Sequence, residues 1–163
     1  MKVLLAVAGV ALGLLVFGCA SVADVAAGSR REAVLEKLGA PTERSTLAGG
    51  ERFVYSGGAE GRETWMFEFD ASGNLVKRFQ ARTMERISQV SVGLKQGEVE
   101  ALLGSSKWTK RFPFLPDELV YIYRFSDDRV PMCFYVAYNS SAMVVSTGMQ
   151  KEMLGSDRWG PPC

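Results

Sequence analysis

Gly28-Ser-Arg-Arg-Glu-Ala-Val34-Leu-Glu-Lys-Leu38-Gly39-Ala-Pro41 is echoed by Gly93-Leu-Lys-Gln-Gly-Glu-Val99-Glu-Ala-Leu-Leu103-Gly104-Ser-Ser106. The shared pattern is G-x5-V-x3-L-G, repeated at an offset of 65 residues without a gap. Each copy reads as a short helix. In the first, Ser29 and Glu32 have the S-x-x-E spacing of a capping box, which satisfies two free amides at a helix start. Val34, Leu35 and Leu38 form one apolar stripe. Gly39 suits the left-handed position after the last turn, and Pro41 prevents continuation. In the second copy Val99, Leu102 and Leu103 make the stripe and Gly104 ends it.

Strand-like runs follow each helix. Residues 51–56, 63–69 and 75–80 follow the first; 118–125, 132–138 and 142–149 follow the second. Trp65, Phe67 and Phe69 alternate, so their shared face is expected in the core. Asp70-Ala-Ser-Gly73-Asn74 reads as a hairpin turn with Gly73 free to take positive φ. The fold expected from this pattern is α+β: two tandem repeats, each a helix plus an antiparallel β-meander, packed as one unit. A half of about 60 residues is marginal alone, so a shared core is expected. The expected boundaries are 28–82 for the first repeat, 83–152 for the second, with the junction at 83–89, and 153–163 for a C-terminal tail.

The chain has 163 residues, 47% apolar and 23% charged, with 19 basic and 18 acidic side chains. A net charge of +1 gives nucleic acid nothing to be drawn by. There is no histidine, which removes His-based catalysis and His-ligated metals. Three cysteines without a CxxC remove the common zinc and thioredoxin-type sites. Lys77, Arg78, Arg82 and Arg86 form a basic cluster near the junction. It reads either as a solvated strand edge or as a contact for anionic headgroups.

Residues 1–18 read as a signal peptide. Lys2 precedes fifteen uncharged residues, Val3 to Phe17, too few for the ~20 that cross a bilayer and right for a secretory h-region. Phe17-Gly18-Cys19-Ala20 resembles the bacterial lipobox. That resemblance implies cleavage before Cys19, lipid attachment at its thiol, and, with Ala20 next, sorting to the outer membrane. Residues 19–27 then form a tether. Ordinary cleavage after Ala23, or a single-pass anchor, are the alternatives. An oxidising compartment lets disulfides persist, which makes Cys133 and Cys163 a candidate bridge; a buried free Cys133 with an exposed Cys163 is the alternative.

The helix motif also resembles a family. G-x5-V-x3-[LM]-G-x-P, then a strand with tyrosine, then a hairpin, is similar to the SmpA/OmlA (BamE-like) outer-membrane lipoproteins. Gly28, Val34, Leu38, Gly39 and Pro41 match in the first copy, and Gly93, Val99, Leu103 and Gly104 in the second. Tyr55, and Tyr121 or Tyr123, stand where the family tyrosine falls. The resemblance implies an accessory role in β-barrel outer-membrane protein assembly. The tandem arrangement also resembles the secreted β-lactamase-inhibitory proteins, which implies an alternative: a periplasmic binder or inhibitor of an envelope enzyme, acting through a concave double sheet.

Catalytic chemistry is thin. Asp127-Asp128 and Asp117-Glu118 are neighbours, and strand neighbours point to opposite faces. Gly57-Gly58-Ala-Glu-Gly61 precedes a strand and lacks the context of a phosphate loop. Ser105-Ser106 and Ser140-Ser141 have no base. The expectation is a non-enzyme with no cofactor, no metal, no small-molecule substrate and no nucleic acid, that meets a protein partner. Phe112-Pro113-Phe114-Leu115-Pro116 reads either as a flap over the core or as an exposed apolar patch. Phe112, Phe114, Tyr121, Tyr123, Tyr135 and Tyr138 are the candidate contact surface, since aromatic side chains give area at low entropic cost.

Overall fold

The computed structural model describes residues 22–57, 61–153 and Cys163. A 3-10 turn at Val22–Asp24 leads into helix α1 (Arg31–Leu38). Four strands follow: β1 (Glu43–Leu47), β2 (Gly50–Gly57), β3 (Glu63–Asp70) and β4 (Leu75–Gln80). The short helix α2 (Met84–Ile87) and helix α3 (Gln96–Leu103) lead to β5 (Trp108–Phe112), β6 (Leu115–Asp127), β7 (Val130–Tyr138) and β8 (Val144–Lys151). The strands form two antiparallel meanders, sheet 1 in the order β1-β2-β3-β4 and sheet 2 in the order β5-β6-β7-β8.

The fold is mostly antiparallel β, which overturns the α+β expectation. Among the described residues 51% are strand and 18% helix. The helices α1 and α3 have eight residues each, little more than two turns. Each sheet has a fourth strand that hydrophobic alternation does not announce. β1 and β5 are edge strands with the sequences ERSTL and WTKRF, and most of their side chains are exposed. An edge strand is paired on one side only and tolerates charge, so it carries no period-2 signal. The capping box at Ser29 is also corrected. Arg30 takes the N-cap position, and the Ser29 hydroxyl donates to the Ala26 carbonyl at 2.7 Å instead. The second helix has its own link, from the Lys95 amide to Glu98 Oε2 at 2.7 Å.

The two halves use the same backbone contacts. The Gly28 amide donates to the Leu75 carbonyl, and the Gly93 amide to that of Val144. The Arg31 amide donates to Gly73 O, and the Gln96 amide to Ala142 O. Phe53 pairs with Phe67 across sheet 1 as Tyr121 pairs with Val136 across sheet 2. Edge-to-face rings recur as well: Phe53 on Phe69 at 5.0 Å, and Tyr121 on Tyr138 at 5.1 Å. Such pairs add about 0.5–1.5 kcal/mol beyond the area they bury.

α1 packs Val34, Leu35 and Leu38 on one face of sheet 1, against Phe53, Phe67, Phe69 and Leu75. Val25 is buried in the same cluster and Val22 packs against it, so the segment before α1 is docked from Val22 onward. α3 packs Val99 and Leu103 on sheet 2, against Tyr121, Tyr123, Phe134, Val136, Tyr138 and Val144. The end of α3 also reaches the other face of sheet 1. A Cβ at Gly104 would lie 3.0 Å from Thr64 Cγ2 and 3.5 Å from Val54 Cγ1. Arg52 Nη1 donates to the Ala101 carbonyl at 3.0 Å. The layers therefore run α1, sheet 1, α3, sheet 2, and the outer face of sheet 2 ends the stack.

Candidate functional site

The outer face of sheet 2 is built by the residues that alternate with its core set. On β6 these are Val120 and Ile122, on β7 Cys133, Tyr135 and Ala137, and on β8 Ser146 and Gly148. The β5–β6 hairpin closes one side. Phe112 pairs with Leu115 across a turn made by Pro113 and Phe114. The Phe112 and Phe114 rings are 5.4 Å apart, and Lys110 Nζ lies 5.0 Å from the Phe112 ring centre. The result is a cleft of about 280 Å³ lined by Phe112, Phe114, Leu115, Val120, Tyr135 and Gly148, among others. Among the described residues that line it, the one carboxylate is that of Glu118. Phe114 is 75% exposed, where water has free access to an aromatic ring.

Sequence-derived contact residues divide between this face and the core. Phe112, Phe114 and Tyr135 line the cleft. Tyr123 and Tyr138 do not: both are fully buried against α3, and Tyr121 packs beside them. The expectation that these three tyrosines face a partner is corrected by strand parity. Residues 121 and 123 on β6 point to the side opposite Val120 and Ile122. Burial pushes the Tyr138 phenol up to about 12 and that of Tyr123 higher still. Burial also raises that of Tyr135.

The structure joins Cys133 to Cys163 in a disulfide, with their Cα atoms 6.0 Å apart. Tyr135 Oη donates to the Cys163 carbonyl at 3.2 Å. Beside the bridge lies Glu152, its side chain 2% exposed. Arg62 donates to its two oxygens at 3.1 and 2.6 Å, and Arg124 at 2.7 and 3.1 Å. Burial favours the protonated carboxyl, but the hydrogen bonds from Arg124 and Arg62 outweigh it and hold the pKa at about 2. The ligand atoms of Cys133, Glu152 and Cys163 lie within 4.8 Å of one another. The sulfurs are committed to each other and the carboxylate to two guanidiniums, so this group fits a staple and an ion pair better than a cation.

Arg82 is the residue whose role sequence reasoning missed. It is buried, and its guanidinium donates to the carbonyls of Leu103 at 3.3 Å, Gly61 at 2.9 Å and Ser105 at 2.8 Å. It also lies 5.5 Å from the Tyr123 ring centre. Desolvation lowers its pKa from the ordinary value. The rest of the basic cluster is engaged too. Arg78 donates to the Val22 and Val25 carbonyls at 2.7 and 2.6 Å, while Arg86 and Lys77 lie over the Phe79 ring. Of the cluster only Arg82 is withdrawn from the surface; Lys77 and Arg78 stay exposed on β4, an edge strand of sheet 1. An arginine aimed at carbonyls leaves no trace in charge patterning.

The segment expected to be a signal peptide, residues 1–18, and the expected lipid-attachment residue Cys19 lie outside the described residues. Among the described residues no helix is long and apolar enough to cross a membrane.

No protein-family model matches the chain, and no curated protein matches it. Among solved structures, it is similar to a DUF4309 family protein (YjgB) from Bacillus subtilis at 14% identity and a TM-score of 0.30, over 76% of this chain and 78% of that one. It is also similar to an extracellular protein containing a SCP domain from Bacillus anthracis. There the identity is 17% and the TM-score 0.29, over 74% of this chain and 42% of that one. Likeness of this degree carries no argument about function.

Proposed function

We propose that the chain is a lipid-anchored, non-catalytic protein-binding or scaffold module on the periplasmic face of the bacterial outer membrane, serving envelope or β-barrel protein assembly. The observation that carries this reading is the apolar cleft on the outer face of sheet 2, with Phe112, Phe114, Leu115, Val120 and Tyr135 around it. An apolar cleft next to a 75% exposed phenylalanine gains by being covered. The N-terminal packing supports anchoring at Cys19. Cleavage after Ala23 would strip Val22 from the core cluster and remove a carbonyl that Arg78 grips at 2.7 Å. Only Ala20 and Ser21 separate Cys19 from Val22, so the lipid would hold the fold within about 10 Å of the bilayer surface. The SmpA/OmlA resemblance supports the assembly role.

The test is affinity capture of the full-length protein, cross-linked in native envelopes, alongside its Phe114→Ala variant. Enrichment of β-barrel assembly subunits with the wild type, lost in the variant, is the expected result. Enrichment of a periplasmic hydrolase would replace the scaffold reading with the inhibitor one. An unchanged membrane fraction for Cys19→Ser would overturn the anchor.

A further inference from the structure

Among the described residues β8 has a neighbouring strand on one side only. It differs from the other three sheet edges. β1 carries Glu43 and Arg44, β4 carries Lys77 and Arg78, and β5 carries Lys110 and Arg111. Charge of this kind discourages a further strand from pairing with an edge. β8 has eight residues, against five or six on the others, and carries no charge until Lys151 at its end. Ser146 to Lys151 are all exposed.

Sheet 1 shows how the same edge is guarded. The matched bulges equate Leu75, Lys77, Arg78 and Phe79 of β4 with Val144, Ser146, Thr147 and Gly148 of β8. On β4, Arg78 draws the carbonyls of Val22 and Val25 to the edge. Thr147, in its place, has neither the charge nor the reach. The backbone of β8 is directed accordingly. The Glu152 amide donates to the Pro131 carbonyl at 3.0 Å, which makes these two a hydrogen-bonded pair. By alternation Ser146, Gly148 and Gln150 turn their amides and carbonyls to β7, and Thr147 and Met149 turn theirs away from it. An extended backbone already uses the start of this edge. The Gly93 amide donates to the Val144 carbonyl at 2.9 Å, and the Val144 amide to the Leu94 carbonyl at 2.8 Å.

We infer that β8 adds a strand from a partner protein beyond Val144: an extended, uncharged segment in which apolar and polar residues alternate. Its backbone pairs with Thr147 and Met149, as peptides do at open sheet edges. Its apolar residues lie on the outer face beside Ser146 and Gly148. A Cβ at Gly148 would meet nothing within 4 Å, so there is room toward the cleft and its Phe112, Phe114 and Tyr135. A second β8 continuing the sheet would bring only Ser146, Gly148 and Gln150 to that face, so the segment belongs to a different sequence. Alternation of this kind is what the strands of a β-barrel carry. The inference rests on the binding-module reading and names the partner's chemistry.

A photo-crosslinking amino acid, placed in turn at Ser146 and Gln150 of the full-length protein in native envelopes, tests this. The linked peptides are mapped by mass spectrometry. The two sites are about 13 Å apart along a strand, so a paired strand should be linked at positions four residues apart. Linked positions about nine residues apart would mean a helix and would overturn the inference. Thr147→Lys gives β8 the charge that Arg78 gives β4, and Thr147→Pro removes an outward amide. Each should cut the product at least tenfold, with the thermal midpoint of Thr147→Lys unchanged because the site is exposed. Thr147→Lys decides alone if the proline variant fails to fold, and an undiminished product in it would overturn the strand. Linkage only to residues 154–162 of the same chain, to a second copy or to lipid would do the same. No product at either site, while the wild type still captures a partner, would overturn the strand and leave the binding module standing. Loss of both would overturn both readings.

Discussion

Glu152 and Ala142 make opposite demands on stability. Glu152 is buried between two arginines and its folded carboxyl titrates near 2, against 4.5 for an unperturbed one. As pH falls, the unfolded chain takes up the proton first. The stabilisation is therefore complete above about pH 4.5 and drains away toward pH 2. Glu152→Gln should cost about 2 kcal/mol at pH 7, because two half-buried guanidiniums lose their charged partner. Denaturant titrations at pH 7 and pH 3 should show the wild type and the variant converging at the lower pH; a constant difference would contradict the ion-pair account. Ala142 holds φ at 56° in the turn that matches Asp70–Asn74, where Gly73 holds 80°. An L side chain there costs about 1–2 kcal/mol that glycine avoids. Ala142→Gly should gain about 0.5–1 kcal/mol after the greater freedom of the unfolded glycine is subtracted, read as a raised urea midpoint.

At the scale of elements, the two helix ends look alike in sequence and differ in surroundings. Gly39 and Gly104 both close a two-turn helix at positive φ, 77° and 73°. Space around Gly39 is open, whereas a Cβ at Gly104 would press on Thr64 at 3.0 Å. Gly39→Ala should cost about 1 kcal/mol from backbone strain alone. Gly104→Ala should cost about 2–3 kcal/mol, because the contact that seats α3 on sheet 1 must also open. Equal losses in chemical denaturation would deny α3 its place between the sheets. The helices, the turn at Asp70–Asn74 and the aromatic alternation in β3 were legible because periodicity and turn chemistry are local. β1 and β5 were illegible because edge strands carry polar residues on both faces. The outward face of β6 and β7 was illegible for another reason: both sides are apolar, and only the position of α3 decides which side Tyr123 takes. The cleft was half legible, since Phe112, Phe114 and Tyr135 are apolar surface in any reading, while Gly148 has a meaning only opposite Phe79.

The whole molecule is two meanders that neither cover themselves nor separate cleanly. Sheet 1 lends its outer face to α3, and α3 gives its apolar stripe to sheet 2. Arg82 leaves the end of sheet 1, passes Tyr123 and takes carbonyls on both sides of the boundary, from Gly61 and from Leu103 and Ser105. Arg62, before β3, meets Glu152, after β8. A half of about 60 residues is marginal by itself, and these links make each half part of the other's core. The chain should therefore unfold in one transition, with calorimetric and van't Hoff enthalpies equal. Arg82→Met removes the charge and leaves three carbonyls without their donor, a loss of about 3 kcal/mol. In a chain of this size that lowers the thermal midpoint by roughly 5 to 10 °C. The variant should keep a single transition if α3 and Gly104 still clamp the sheets. A wild type that melts in two separated steps would mean that the sheets fold independently. A variant that alone splits into two would make Arg82 the joint on which their cooperativity depends.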